Sequence, residues 1–385
     1  MPKWKKMTVG DLCDTISDTY RGDDKDVVLI NTSDVLEGKV LNHQVVENKN
    51  LKGQFKKTFK ENDILYSEIR PANKRYAFVD FGDTDNYIAS TKLMVLRSRK
   101  DVVRPRFLLS FLSSKSVIEE LQQLAETRSG TFPQITFSSE LAPTPINLPD
   151  LETQDRIVGI LDVIEGKIST NAEINKNLEQ QAQVIYQQMF IDNASSNWTE
   201  GTLSDIADIT MGQSPSGSSY NEDGNGTIFF QGRAEFGFRF PTVRLYTTEP
   251  KRMACANDTL MSVRAPVGDL NVAHTDCCIG RGLAAIHSKN NHQSFVLYTM
   301  FSLKKRLDVF NGEGTVFGSI NRNSLNEMPL IIPSSEKLDE FEALVAPMDA
   351  AIHNNYNEIC RLEQLRDSLL PKLMSGELDV SDIDF

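Results

Sequence analysis

The chain contains itself twice. Leu178-Glu179-Gln180 recurs as Leu362-Glu363-Gln364, 184 residues on, and at that same offset Asn171 matches Asn355, Ile168 matches Ile352, Pro149 matches Pro333 and Pro145 matches Pro329. Nearer the N-terminus, Trp4-x3-Thr8-Val9 matches Trp198-x3-Thr202-Leu203 at an offset of 194, and Asn62-Asp63-x-Leu65 matches Asn257-Asp258-x-Leu260 at 195. The period is far longer than that of solenoid repeats. The duplicated unit is therefore a whole module, a globular domain followed by a long helix. Between positions 63 and 145 the offset shortens by 11 residues, so the copies agree at framework positions and diverge in loops. Diverged loops on a shared scaffold suit two domains that recognise different things.

The helical parts carry a stripe with a 3.5-residue period. In the first copy it runs through Ile157, Leu161, Ile164, Ile168, Asn171, Asn175, Leu178, Ala182, Ile185 and Met189. In the second it runs through Phe341, Val345, Met348, Ile352, Asn355, Ile359, Leu362, Arg366, Leu369 and Leu373. A stripe of this length predicts a two-helix coiled-coil seam. Gly159, Gly166 and Pro347 fall inside it, where a break or kink is expected. Asn171 and Asn355 share a stripe position and read equally as edge residues or as buried polar residues that fix register. The segment from Lys167 to Phe190 spans about 36 Å as a helix.

Residues 1–148 read as mixed strand and helix. Val27–Ile30, Ile64–Tyr66, Tyr76–Val79 and Leu93–Leu96 are strand-length apolar runs, and 107–124 has helical spacing. Residues 194–332 repeat the plan, with runs at Thr227–Phe230, Thr259–Met261, Asn271–Ala273 and Leu283–Ile286 and a helix over 293–309. Each copy ends in a Pro-bracketed strand, residues 143–149 and 329–333, suited to a sheet edge. Asp150 and Ser334 or Ser335 are candidate caps for the helices that follow. The expected fold class is α+β: two mixed α/β globular domains (1–148 and 194–332) separated by two long antiparallel coiled-coil helices (149–193 and 333–385), related by a pseudo-two-fold axis.

Net charge is −12, which argues against a stand-alone nucleic-acid binder. Its distribution matters more. The segment 1–148 carries +2 and 194–332 carries −1, while the helical segments carry −5 and −8. The acid lies on the helices, which leaves the globular domains free to present local basic faces. The five cysteines, at 13, 255, 277, 278 and 360, have no framework spacing and read as reduced thiols of a cytoplasmic protein. No apolar run approaches membrane-spanning length, and the polar N-terminus does not read as a signal peptide.

Catalytic signatures are missing from the sequence. There is no phosphate loop and no Asn/Asp-Pro-Pro-aromatic motif. Gly312-x-Gly314-x3-Gly318 reads as a turn. Asp63-x4-Glu68-x-Arg70 lacks the Lys of a nuclease metal site, and His274 with Cys277 and Cys278 reads as a reduced, partly buried set, not a metal site. No metal-binding residue and no catalytic residue is expected.

Cations and neighbouring polar side chains in the globular loops are the candidates for contact with double-stranded DNA. In the first domain they are Lys49, Lys52, Lys56, Lys57 and Lys60, interleaved with Phe55 and Phe59, and then Arg70, Asn73, Lys74 and Arg75. In the second they are Gln213, Ser214, Arg233, Arg239, Arg244, Arg264 and Arg281. Lysine brings charge to phosphate, whereas arginine and asparagine make paired contacts to guanine and adenine edges. Each lysine reads equally as a solvated surface charge. Gly212 and Gly217 read as turn-formers.

Three segments carry a resemblance that covers the whole chain: Leu148-Pro149-x-Leu151-Glu152-x-Gln154-x2-Ile157, Asn175-x2-Leu178-x2-Gln181-Ala182-x2-Ile185-Tyr186, and Leu369-Leu370-Pro371-Lys372-Leu373-Met374-Ser375-Gly376-Glu377. With Met211–Ser216, Ser262–Gly268 and Gly280–Leu283, the chain resembles the specificity subunit of Type I restriction–modification enzymes. Ser334-Ser335-Glu336-Lys337-Leu338 departs from the family's usual Leu-x-Glu-x-Gln start of the second helix. The resemblance implies a non-catalytic subunit that binds two methyltransferase (modification) subunits and two motor/nuclease (restriction) subunits. S-adenosylmethionine, ATP and Mg²⁺ would belong to those partners. Each domain would read one half of an asymmetric bipartite DNA target, and the helices would set the gap. The competing reading is a coiled-coil scaffold that holds two ligand-binding domains apart.

Overall fold

The computed structural model describes residues 4–22, 25–49, 53–128, 132–312 and 318–383. They form two units, Met1–Ile168 with Cys360–Phe385, and Ser169–Ile359. Lys52 and Gly314 lie outside the described residues. Both long helices, Leu151–Tyr186 and Ser335–Ser375, contribute to each unit.

In the first unit an antiparallel sheet has the order Cys13–Ile16, Leu93–Ser98, Ile64–Ser67, Tyr76–Phe78. Its central strand is an unbroken apolar run because both faces are covered. Met94 and Leu96 face a helical core with Phe107, Leu108 and Leu121, while Leu93 and Val95 face Val28, Ile30 and Ala89 of the neighbouring sheet. That second sheet has the order Val45–Glu47, Asp26–Ile30, Tyr87–Ser90, Phe55–Lys57, with its inner pair parallel. The helix expected over 107–124 is two helices, Pro105–Leu112 and Lys115–Arg128. The Ser113-Ser114 junction divides them, and the Ser114 hydroxyl donates to the Phe111 carbonyl at 2.7 Å, a local bond that competes with helix continuation.

Lys5–Thr8 pairs antiparallel with Pro145–Leu148, so the two ends of the globular domain are zipped together. The chain then enters the first long helix, where Asp150 caps by accepting from the Thr153 amide at 2.9 Å. Gln154, fully buried, accepts from the Arg104 amide and donates to the Val102 and Pro149 carbonyls. The C-terminal residues complete this unit, since Leu373 and Val380 join its core. Gly376 adopts φ 75°, and a Cβ there would lie 2.7 Å from the Trp4 ring. Arg156 of the first long helix donates to the carbonyls of Val380 and Ser381.

The second unit repeats the plan. One sheet has the order Ala207–Met211, Leu283–Ser288, Thr259–Ser262, Leu270–Val272. The other has the order Tyr220–Asn221, Leu245–Thr247, Thr227–Phe230, Cys277–Ile279, Met253–Ala254. Thr199–Thr202 pairs with Pro329–Ile332 as the equivalent zipper. The helix expected over 293–309 is Gln293–Ser302, followed by the short turns Lys304–Leu307 and Asp308–Asn311.

Within the second unit the long helices run antiparallel. Asn171 donates to Glu358, Asn355 donates to Asn175, and the rings of Tyr186 and Phe341 lie 5.9 Å apart. In the first unit Ile157 and Leu161 share a core with Leu369, Leu370 and Leu373. Every position of the sequence stripe is buried or half-buried. The expected break is corrected: both helices run without interruption through Gly159, Gly166 and Pro347. Pro347 removes one backbone donor, but Val345 and Met348 on either side are held in the second unit's core. The fold class is α+β, with two β-rich domains and two long helices packed together.

Candidate nucleic-acid interface

In the second unit, close backbone packing gathers the candidate side chains. A Cβ on Gly212 would lie 2.1 Å from the Gly280 carbonyl oxygen, and one on Gly280 would lie 2.8 Å from that of Gln231. Only glycine permits this approach. It brings Gln213 and Ser214 beside Arg281, whose amide donates to Ser214 Oγ at 3.2 Å. The same packing shapes a cleft of about 330 Å³ lined by Gln231–Glu235, Arg244, Ser262, Arg264, Ala265 and Gly282.

The arginines in the cleft, and Arg281 beside it, differ in how they are held. Arg233 pairs with Asp269 at 2.8 Å, a carboxylate it shares with Lys304. Arg244 donates to Glu235 at 3.0 Å, and the Glu235 carboxylate also accepts from the Gly232 amide. Arg264 and Arg281 are exposed and carry no ion pair among the described residues. The Arg264 backbone is nonetheless rigid. Val263 donates to Gly282 O and Ala265 to Gly318 O, and Ile320 donates back to Val263 O. The backbone is fixed while the guanidinium has no hydrogen-bond partner among the described residues, which leaves its donors open to a ligand.

Arg239 is a correction. Its side chain is only 4% exposed and pairs with Glu179 and Asp349 of the two long helices. Burial between two carboxylates removes it from the DNA-contact candidates.

In the first unit the turn Pro71–Asn73 is flanked by left-handed residues, Arg70 at φ 46° and Lys74 at φ 52°. Non-glycine residues occupy this region at a cost of order 1–3 kcal/mol each, and here it throws Arg70 and Asn73 outward, both exposed. Lys74 pairs with Glu37 at 2.9 Å on the surface. Arg75 is turned inward and donates to the Ser33 and Val35 carbonyls. Lys57 donates to the Leu93 carbonyl at 2.7 Å, and its burial holds the ammonium below the usual lysine range. Lys56 is exposed without an ion pair among the described residues. Lys49 pairs with Glu47.

Glu235 and Gln231 are cleft residues with no place among the sequence candidates, and Ser262, the first residue of the segment Ser262–Gly268, joins them. Glu235 reaches back to the Gly232 amide at 3.2 Å, a contact for which a glycine N-cap leaves no side-chain signal in the sequence. Asp63 and Glu68 are occupied by Arg97 and Lys92. Cys277 and Cys278 are fully buried in a strand, and burial pushes the Cys277 thiol up to about 12. His274 turns to Asn357. Among the described residues no group of three or more His, Cys, Asp or Glu is placed to hold a metal ion, and no helix is long and apolar enough to cross a membrane.

The family model for the Type I restriction modification DNA specificity domain matches residues 1–180 and again 195–358. The chain belongs to this family. It is a Type I restriction–modification specificity subunit, the non-catalytic component of such enzymes. The HindI specificity subunit of Haemophilus influenzae is 29% identical to this specificity subunit over 461 aligned positions, covering 98% of this chain and 100% of that one. The putative MjaX specificity subunit of Methanocaldococcus jannaschii is 29% identical over 344 positions, covering 83% and 79%. The solved Type-I S subunit from M. genitalium shares the fold at a TM-score of 0.59 and 16% identity, over 97% and 96% of the two chains.

Proposed function

We propose that this specificity subunit reads an asymmetric bipartite target on double-stranded DNA. Residues 1–148 read one half, residues 194–332 read the other, and the helical segments 149–193 and 333–385 set the gap between them. The observation that carries this reading is that two copies of one recognition scaffold present different cationic and polar side chains at the surface: Lys56, Arg70 and Asn73 in one, Gln213, Ser214, Arg264 and Arg281 in the other. Arg233, Lys57, Lys74 and Arg75 support these positions through internal or surface pairs. The subunit works in the cytoplasm with two modification subunits and two restriction subunits, and those partners hold S-adenosylmethionine, ATP and Mg²⁺. The partners also contribute positive field, since this chain carries −12 overall.

The experiment is to assemble the chain with its methyltransferase subunits and sequence the methylated DNA. A single two-part motif with a fixed gap is expected. Exchange of residues 198–332 for another domain of the same type changes one half only. Methyl transfer by this chain alone, or a change in both halves after the exchange, overturns the reading.

A further inference from the structure

The loop between Glu235 and Arg244 joins two places in the second unit. At its root lie the cleft residues Arg233, Glu235 and Arg244. At its tip Arg239 and Phe240 are inserted against the two long helices. The loop is stiff. Asn271 brackets Gly237 with two hydrogen bonds, the Thr242 amide donates to Glu235 O, and the Val272 amide donates to Arg239 O. A Cβ on Gly237 would meet the Phe240 carbonyl at 2.6 Å. The guanidinium is divided between the helices: Nη1 donates to Glu179 of the first at 3.0 Å, and Nη2 donates to Asp349 of the second. Tyr298 closes the network, accepting from Arg239 at 3.2 Å and donating to Asp349 at 2.9 Å. Phe240 lies 4.7 Å from Tyr356 and 5.2 Å from His353, both on the second long helix.

We infer that Arg239 is a positioning residue. It locks the DNA-reading cleft of the second domain to both long helices, and so fixes where that domain's half-site falls along the gap. A planar fork reaches two carboxylates on different helices at once, which a lysine ammonium on a flexible stem does not hold in one geometry. In the first unit the ion pairs between helix Pro105–Leu112, its N-terminal flank and the first long helix, Arg104–Asp155 and Arg106–Asp162, are exposed, and the buried polar contact there is the neutral Gln154 amide. The buried three-way lock therefore belongs to the second domain's attachment. This inference rests on the reading that the helices set the gap.

The test uses the assembled modification complex and a DNA library in which both half-sites are constant and the gap length varies. Wild type is expected to methylate one gap length. Arg239→Lys, which keeps a buried cation and loses the fork, is expected to raise methylation at neighbouring gap lengths by about tenfold relative to the preferred one. That is the scale set by loss of one charge-assisted hydrogen bond. The half-site sequences stay unchanged. A merely structural role would lower activity at every gap alike. Should Arg239→Lys fail to assemble, Glu179→Gln, which leaves the Asp349 contact, is read the same way with a smaller spread. An assembled variant as gap-strict as wild type overturns the lock. Wild type methylating several gaps equally overturns the gap-setting reading itself, and the lock with it.

Discussion

Asn355 donates its side-chain amide to the Asn175 carbonyl oxygen at 2.8 Å, across the seam between the two long helices. One helical turn away Asn171, buried like Asn175, donates to Glu358 at 2.7 Å. Both asparagines of the first stripe are therefore inside the seam. Apolar side chains tolerate sliding of one helix past another by a heptad, and a buried amide pair does not.

Replacing Asn175 by Leu leaves the Asn355 amide without its acceptor and is expected to cost about 1–2 kcal/mol. Asn175→Leu with Asn355→Leu recovers that loss, because two matched apolar groups replace two matched polar ones. Denaturant unfolding of the wild type, both single variants and the double variant measures the cycle.

Arg264 and Lys56 are expected to fail in different ways. Arg264→Gln relaxes one position of one half-site and costs about 1–3 kcal/mol there, as loss of a base contact does. Lys56→Gln weakens binding evenly across sequences and lowers the slope of log affinity against log salt by about one, as loss of a phosphate contact does. Binding of the assembled complex to a degenerate library at several salt concentrations separates the two.

His353 packs against His274, with ring centroids 4.6 Å apart, beside Phe240 and Tyr356. Burial, and then the neighbouring His274, hold its imidazole below the usual 6.5. The unfolded chain therefore takes up the proton more readily than the folded one. The stability from this group is complete above pH 6.5 and is lost as pH falls through the folded value. Wild type is expected to lose thermal stability between pH 7.5 and 5.5. His353→Asn is expected to show a shallower loss over the same range in melting curves.

Asp63 is fully buried and takes both arms of Arg97 at 2.8 and 2.7 Å, and it also accepts from the Lys60 amide. The second copy places Asp258 against His287 at 2.6 Å between the equivalent strands. Asp63→Ala leaves Arg97 half-screened by solvent, so about 2 kcal/mol of destabilisation is expected, below the cost of breaking a fully buried pair. Asp63→Ala with Arg97→Met regains part of it, measured by thermal unfolding.

The helices were plainly legible in the sequence, because a 3.5-residue stripe over ten positions has few other uses. The central strands were legible as apolar runs for the same reason that they are buried on both faces. Tyr87–Ser90 was missed because its apolar run is only three residues long beside a polar stretch, and Cys13–Ile16 because it carries only two apolar residues. The arginine cleft was half-legible. Arg281 stands between two glycines and Arg264 two residues before Pro266, a local signal of an exposed turn. Arg239, between two phenylalanines, looked no different from Arg233. Its role depends on carboxylates 60 and 110 residues away, and local sequence holds no record of such contacts.

The paired strands Lys5–Thr8 with Pro145–Leu148, and Thr199–Thr202 with Pro329–Ile332, bring the first and last residues of each globular domain side by side. A domain whose two ends meet at one such double seam is a cartridge in the gene. Two crossovers, one in each strand of the seam, exchange it whole, and the incoming domain brings its own helix contacts of the kind Arg239 makes. New pairings of half-targets are thus open to recombination between genes, with no need for point mutations to rebuild a reading surface step by step.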